Sequence, residues 1–159
     1  MTTEEVIEVV RQVRQQGGRV VFTNGVFDLL HPGHVRYLAA ARQYGDALIV
    51  GINSDESVRV NKGPRRPILP AAERAELVAA LTMVDGVVIF DDETPYELIR
   101  RLQPDILVKG ADWPADQIVG RDIVEARGGT VVRVPVEAGY STSSIIGRVL
   151  HLPASTENR

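Results

Sequence analysis

Val6, Val9, Val10 and Val13 recur at helical spacing, so the chain opens with a helix over residues 3–16, with Thr3 able to cap it and Gly17-Gly18 ending it. Residues 19–23 form a short β-branched run and read as a buried strand. A helix over 32–44 follows, and the apolar run 47–52 reads as a second strand. Residues 53–69 carry prolines, glycine and charges and read as one long loop. Pro70 opens a helix to Leu81, and 87–90 is a third strand. Thr94-Pro95-Tyr96-Glu97 has the form of a capping box opening a helix to Leu102. Residues 106–108 and 130–134 give the fourth and fifth strands, with a helix over 121–126 between them. A last helix covers 143–150, and the polar end from Pro153 is expected to fray.

Strands alternate with helices along the whole chain. This predicts a single α/β domain over residues 1–150, Rossmann-like, with a five-stranded parallel sheet covered on both faces, and a frayed tail over 151–159. In such sheets ligands sit beyond the carboxyl ends of the strands, where strand order reverses. The chain has 159 residues, suited to one domain, and a net charge of −3, which argues against a nucleic-acid partner. There are no cysteines, so disulfides, zinc thiolates and cysteine nucleophiles are excluded. No apolar run approaches the ~20 residues that span a bilayer. No secretory pattern opens the chain. The expectation is a cytoplasmic protein with no membrane partner.

The turn after the first strand carries the strongest chemical signal. It reads Thr23-Asn24-Gly25-Val26-Phe27-Asp28-Leu29-Leu30-His31-Pro32-Gly33-His34. It has neither the G-x-G-x-x-G nor the G-x-x-x-x-G-K-[ST] phosphate loop. Instead, His31 and His34 flank Pro32-Gly33 at a helix start. Pro32 suits the first turn, Gly33 clears space near the backbone, and the helix N-terminus attracts anions. His31 and His34 add donors on the same side. A metal site is not expected, because no third nitrogen or sulfur ligand is near.

These residues resemble the H-x-G-H signature of the cytidylyltransferase-like nucleotidyltransferases. Tyr140-Ser141-Thr142-Ser143-Ser144-Ile145-Ile146 resembles their second signature, a Ser/Thr cluster opening the last helix. The family often carries an arginine just before that cluster. Ala138-Gly139-Tyr140 stands there here, unlike the glycerol-phosphate and choline-phosphate cytidylyltransferases. The stretches T-N-G-V-F-D, G-I-N-S-D at 51–55, K-G-P-R-R-P at 62–67 and L-V-K-G-A-D at 107–112 are similar to the ADP-heptose synthase branch. That branch includes forms fused behind a sugar kinase, and this sequence has the look of a stand-alone form.

The resemblance implies transfer of AMP from ATP to a heptose 1-phosphate, with pyrophosphate leaving and the product feeding lipopolysaccharide inner-core synthesis. Mg²⁺ would accompany ATP, held mainly by phosphates and water. It further implies roles for residues. His31, His34 and Lys62 would act on the reacting phosphates. Thr23, Asn24, Gly25, Phe27, Gly33, Lys109, Asp112, Thr142, Ser143 and Ser144 would hold the nucleotide. Asp28, Asn53, Asp55 and Arg66 would hold the acceptor, with Arg65 a further contributor. Two alternatives stay open: a cytidylyltransferase acting on a phosphorylated alcohol such as glycerol 3-phosphate, and a non-catalytic nucleotide-binding module. Relatives commonly form homo-oligomers, and the valine-rich first helix is the candidate interface.

Overall fold

The computed structural model describes residues 1–153; the part of the expected frayed tail beyond them lies outside the described residues. His151 to Pro153 leave the last helix through a turn. The elements are α1 (Thr3–Gln15), β1 (Val20–Gly25), α2 (Pro32–Arg42), β2 (Ala47–Asn53), α3 (Asp55–Lys62), α4 (Ala71–Ala79), β3 (Gly86–Phe90), α5 (Tyr96–Leu102), β4 (Ile106–Gly110), α6 (Arg121–Ala126), β5 (Thr130–Val134) and α7 (Thr142–Leu150). A short 3-10 turn, Ala115–Gln117, lies between β4 and α6.

The five strands are all parallel and lie in the order β3-β2-β1-β4-β5. Alternate residues of each strand point to opposite faces. Val20, Phe22, Ile49, Val88 and Leu107 meet α1, α5 and α6 through Val6, Val10, Leu98, Ile99 and Val124. Val21, Leu48, Val50, Ile106 and Val108 meet α2 and α4 through Leu38, Ala41 and Val78. Both faces are therefore covered, which is why the strands read as nearly continuous apolar runs.

Strand order reverses between β1 and β4. These two strands pair only through Val21–Ile106 and Phe22–Leu107 and then part. The Tyr37 hydroxyl bridges the split: it lies 2.8 Å from the Thr23 hydroxyl and donates to the Val108 carbonyl at 3.3 Å. A crevice thus opens above the carboxyl ends of β1 and β4, where this class of sheet binds ligands.

Several expectations are corrected. The cap of α1 is Thr2, which exchanges bonds with Glu5 in a capping box. The valines of α1 are not an external face: Val6 and Val10 are buried in the chain's own core, and Val9 and Val13 pack against it. Residues 53–69 are not one loop. Ser54 caps α3, and Val58 buries completely beneath it. The Thr94 capping box does not form; Pro95 stands at the cap of α5 without a side-chain bond. Pro70 stands at the cap of α4, next to its first residue, and the helix ends at Ala79 rather than Leu81.

Candidate active site

The crevice at the strand switch is a cleft of about 650 Å³, within the usual range for small-ligand sites. The β1–α2 turn, the end of α3, the end of β4 and the start of α7 all contribute to it.

His31 and His34 are fastened to each other as well as to α2. His31 is the N-cap of α2, and its Nδ1 accepts the His34 backbone N–H at 3.4 Å. The His34 Nδ1 accepts the His31 backbone N–H at 3.4 Å in return. The rings stack with centroids 3.7 Å apart and planes 20° apart, and Phe27 meets His34 edge-on at 5.3 Å. Burial pushes the His34 imidazole down to about 4, helped by the neighbouring His31 and opposed by Asp28. Burial lowers His31 as well. Both rings are therefore neutral at pH 7. Since each Nδ1 accepts a bond, each proton is assigned to Nε2. The pair presents two N–H donors beside a helix N-terminus, which is a charge-free anion cradle.

Gly33 is required by packing. A Cβ there would lie 2.7 Å from the Tyr140 Cβ and 2.9 Å from the His31 Cε1. The Tyr140 ring runs nearly parallel to His31 at 6.4 Å, and the Arg36 guanidinium lies 5.1 Å from its centroid. Arg36 also pairs with Glu137 at 2.5 Å.

Lysines and arginines complete the cleft. Lys109 lies within β4, not after it, and lines the cleft with Asp112 and Trp113. Its ammonium is 5.5 Å from the Trp113 ring centroid. Burial lowers Lys109 to about 8, against the opposing pull of Asp112. Lys62, at the end of α3, and Arg66 also line the cleft. At the start of α7 the cap is Ser141, which accepts the Ser144 N–H at 3.0 Å; Ser141, Thr142 and Ser143 all face the cleft.

The structure brings together His31, His34, Lys62, Asn24, Gly25, Phe27, Gly33, Lys109, Asp112, Thr142, Ser143, Asp28 and Arg66. Five expected residues stand elsewhere. Thr23 is buried beneath the cleft with its hydroxyl spent on Tyr37. Asn53 is buried and donates to the Ser57 hydroxyl at 3.0 Å. The Asp55 carboxylate accepts the Ala71 N–H and the Arg74 guanidinium, both at 2.8 Å. Ser144 gives its N–H to the Ser141 cap and does not line the cleft. Arg65 is exposed outside it.

The role expected of Asp28 also changes. Its carboxylate accepts the Ile68 N–H at 2.8 Å, the Leu69 N–H at 3.0 Å and the Arg66 Nε–H at 3.1 Å. Its side chain is wholly buried, so a sugar hydroxyl has no access to it. Burial alone would raise its carboxyl, but these three donors outweigh that and hold it below the ordinary aspartate value. Tyr37, Arg36 and Trp113 are cleft residues that sequence reasoning did not single out, and Tyr140 and Ser141, quoted only within the second signature, line the cleft as well. Helical spacing from Gly33 and His34 signals Arg36 and Tyr37. Among the described residues, no cluster of three or more His, Asp or Glu side chains is arranged to hold a metal ion.

An open parallel sheet with a cleft at its switch point, lined by a helix start, paired imidazoles and lysines, defines an α/β protein of the kind that takes ligands beyond the carboxyl ends of its strands. The family described as cytidylyltransferase-like matches residues 22–148, and the chain belongs to it and is a nucleotidyltransferase. It is 52% identical over 147 residues to the bifunctional protein HldE of Syntrophotalea carbinolica, covering 92% of this chain and 30% of that protein. It is 53% identical over 145 residues to the bifunctional protein HldE of Rhodopseudomonas palustris, covering 91% of this chain and 30% of that protein. The chain thus spans under a third of the length of these curated relatives. Among solved structures it resembles the lipopolysaccharide core biosynthesis protein from Thermoplasma volcanium. The TM-score is 0.64 at 30% identity, covering 76% of this chain and 98% of that one. Among the described residues no helix is long and apolar enough to cross a membrane.

Proposed function

We propose that this chain transfers AMP from ATP to D-glycero-β-D-manno-heptose 1-phosphate, giving ADP-heptose and pyrophosphate. The observation that carries the transfer chemistry is the stacked, reciprocally capped histidine pair at the start of α2. The heptose assignment rests on the 51–55, 62–67 and 107–112 stretches, on the identity with the HldE proteins and on the lipopolysaccharide core relative.

The acceptor phosphate is already an anion near neutral pH, so no general base is needed. One of its oxygens attacks the α-phosphorus, the bond to the bridging oxygen breaks, and pyrophosphate leaves. The work of the protein is to hold two anions together and to stabilise charge that grows at the α-phosphorus. The Nε2–H groups of His31 and His34 suit this task because they donate without needing a proton from solution. An aligned donor of this kind is typically worth about 10²–10³ in rate. Asn24, Gly25, Phe27, Gly33, Asp112, Thr142 and Ser143 would surround the nucleotide, and Lys62, Arg66 and Lys109 would bind phosphate oxygens. Of the cleft carboxylates, Asp28 is fully engaged and Glu137 is paired with Arg36, leaving Asp112 as the available anionic ligand. Mg²⁺ carried by ATP would thus be held mainly by phosphates, and its charge would ease departure of pyrophosphate. ATP as donor fits a cytoplasmic reaction.

The test is an assay of pyrophosphate release over a grid of ATP or CTP against heptose 1-phosphate or glycerol 3-phosphate. Release that requires ATP and heptose 1-phosphate together is expected. Turnover with CTP and glycerol 3-phosphate, but not with the heptose, would overturn the substrate assignment. Nucleotide binding without turnover of any ester would overturn the enzymatic reading.

A further inference from the structure

We propose that Asp28 is a positioning residue that sets the Lys62–Leu69 strap against the histidine pair and so aligns the acceptor with the nucleotide. The proposal rests on the transferase reading above. Asp28 joins three segments of the cleft. Its carboxylate grips the strap at Arg66, Ile68 and Leu69. Its own carbonyl accepts the Thr142 hydroxyl at 2.5 Å, tying in the start of α7. It lies in the turn that ends at His31. Phe27 and Leu29 on either side have φ of 51° and 49°, left-handed values that are costly for non-glycine residues and turn Asp28 inward.

A second clamp holds the same strap. Arg74 is fully buried and donates to the Leu69 carbonyl at 2.9 Å, the Val26 carbonyl at 2.7 Å and Asp55 at 2.8 Å. Leu69 is thus gripped at both its N–H and its carbonyl. The strap carries two cleft cations, Lys62 at its start and Arg66, whose guanidinium is aimed by Asp28. A carboxylate with no exposed surface cannot touch substrate; its effect on the reaction passes through Arg66 and the strap. Because a misplacement of about 1 Å in a reacting pair can cost about a hundred-fold in rate, the fixed placement of that strap matters.

The experiment compares wild type with Asp28→Asn, Arg66→Ala and the double variant. Asparagine keeps the shape and one acceptor oxygen but not the charge that orients Arg66. Asp28→Asn is expected to raise the KM for the sugar 1-phosphate about ten-fold or more while the KM for ATP moves less than about three-fold. The losses of Asp28→Asn and Arg66→Ala should be less than additive in the double variant, since both break the Asp28–Arg66 pair. Amide hydrogen exchange at Ile68 and Leu69 should quicken while β1 stays protected. Equal rises in both KM values, strictly additive losses or unchanged exchange would overturn the proposal. If Asp28→Asn does not fold, Asp28→Glu replaces it, with the same selective KM rise and the same quickened exchange at Ile68 and Leu69 expected. Failure of the wild type to turn over the sugar 1-phosphate would overturn the substrate assignment instead. Positioning would then be judged by amide exchange and by inorganic phosphate titration, where Asp28→Asn must weaken binding about ten-fold or more.

Discussion

Lys109 shows how one side chain's environment sets a pH limit on binding. Burial in the cleft wall brings its ammonium down to about 8 from the ordinary 10.5. Phosphate affinity is therefore expected to fall as pH rises through about 8, because the cation is lost. Lys109→Arg stays charged at all these values and should flatten that limb of the KM profile. A profile of unchanged shape in the variant would remove Lys109 from the phosphate site. At the same scale, His34→Ala should lower kcat by about 10²–10³, as expected for loss of an aligned transition-state donor. His31 and His34 were legible as cleft residues from their type and their spacing at a helix start, and Lys62 and Lys109 through the family resemblance. It did not make legible that Asp28 and Asp55 spend their carboxylates on backbone amides and arginines distant in sequence. Nothing in a local pattern shows such a partner.

At the level of elements, α2 ties fold to chemistry. Its start must carry a cap, a proline, a glycine and a second histidine within four residues, and each serves a separate contact. Gly33→Ala tests this packing. The added methyl would collide with Tyr140 and with the His31 ring, so it should displace the start of α7 and weaken ATP binding about ten-fold or more. Isothermal titration with a non-hydrolysable ATP analogue measures it. Unchanged affinity would show that Tyr140 can move aside without consequence. Most elements were legible because apolar period and glycine breaks agree with the observed bounds, as at α6 and β5. The exception at α3 has a physical cause. Its short apolar content, Val58 and Val60, sits among charges and ahead of two prolines, and the turn is secured by the Ser54 cap and by Arg74 beneath. The Thr94–Glu97 box failed for the converse reason: a matching local pattern did not form the bonds it names.

For the whole molecule, the sheet order places the cleft between the two halves of the fold and commits buried groups to it. The stability of the domain should carry that signature. Both histidines titrate below the ordinary value of 6.5 in the folded chain, His34 at about 4. Between those values the unfolded chain takes up protons that the folded chain refuses. Stability is thus present in full above 6.5 and is lost as pH falls toward about 4. Urea unfolding at a series of pH values should show this decline, and His34→Asn should make it shallower. A decline of the same slope in that variant would assign it to other groups. The parallel sheet was legible from the strand–helix alternation, while the strand order that sets the switch between β1 and β4, and the cleft's aromatic wall of Trp113 and Tyr140, depend on packing between segments far apart in sequence.

The central claim concerns where the nucleotide's phosphates rest, and a crystal structure with a non-hydrolysable ATP analogue reads this directly. The account predicts phosphate oxygens about 3 Å from the Nε2 atoms of His31 and His34, between the starts of α2 and α7. An analogue bound with its phosphates away from both imidazoles would contradict it.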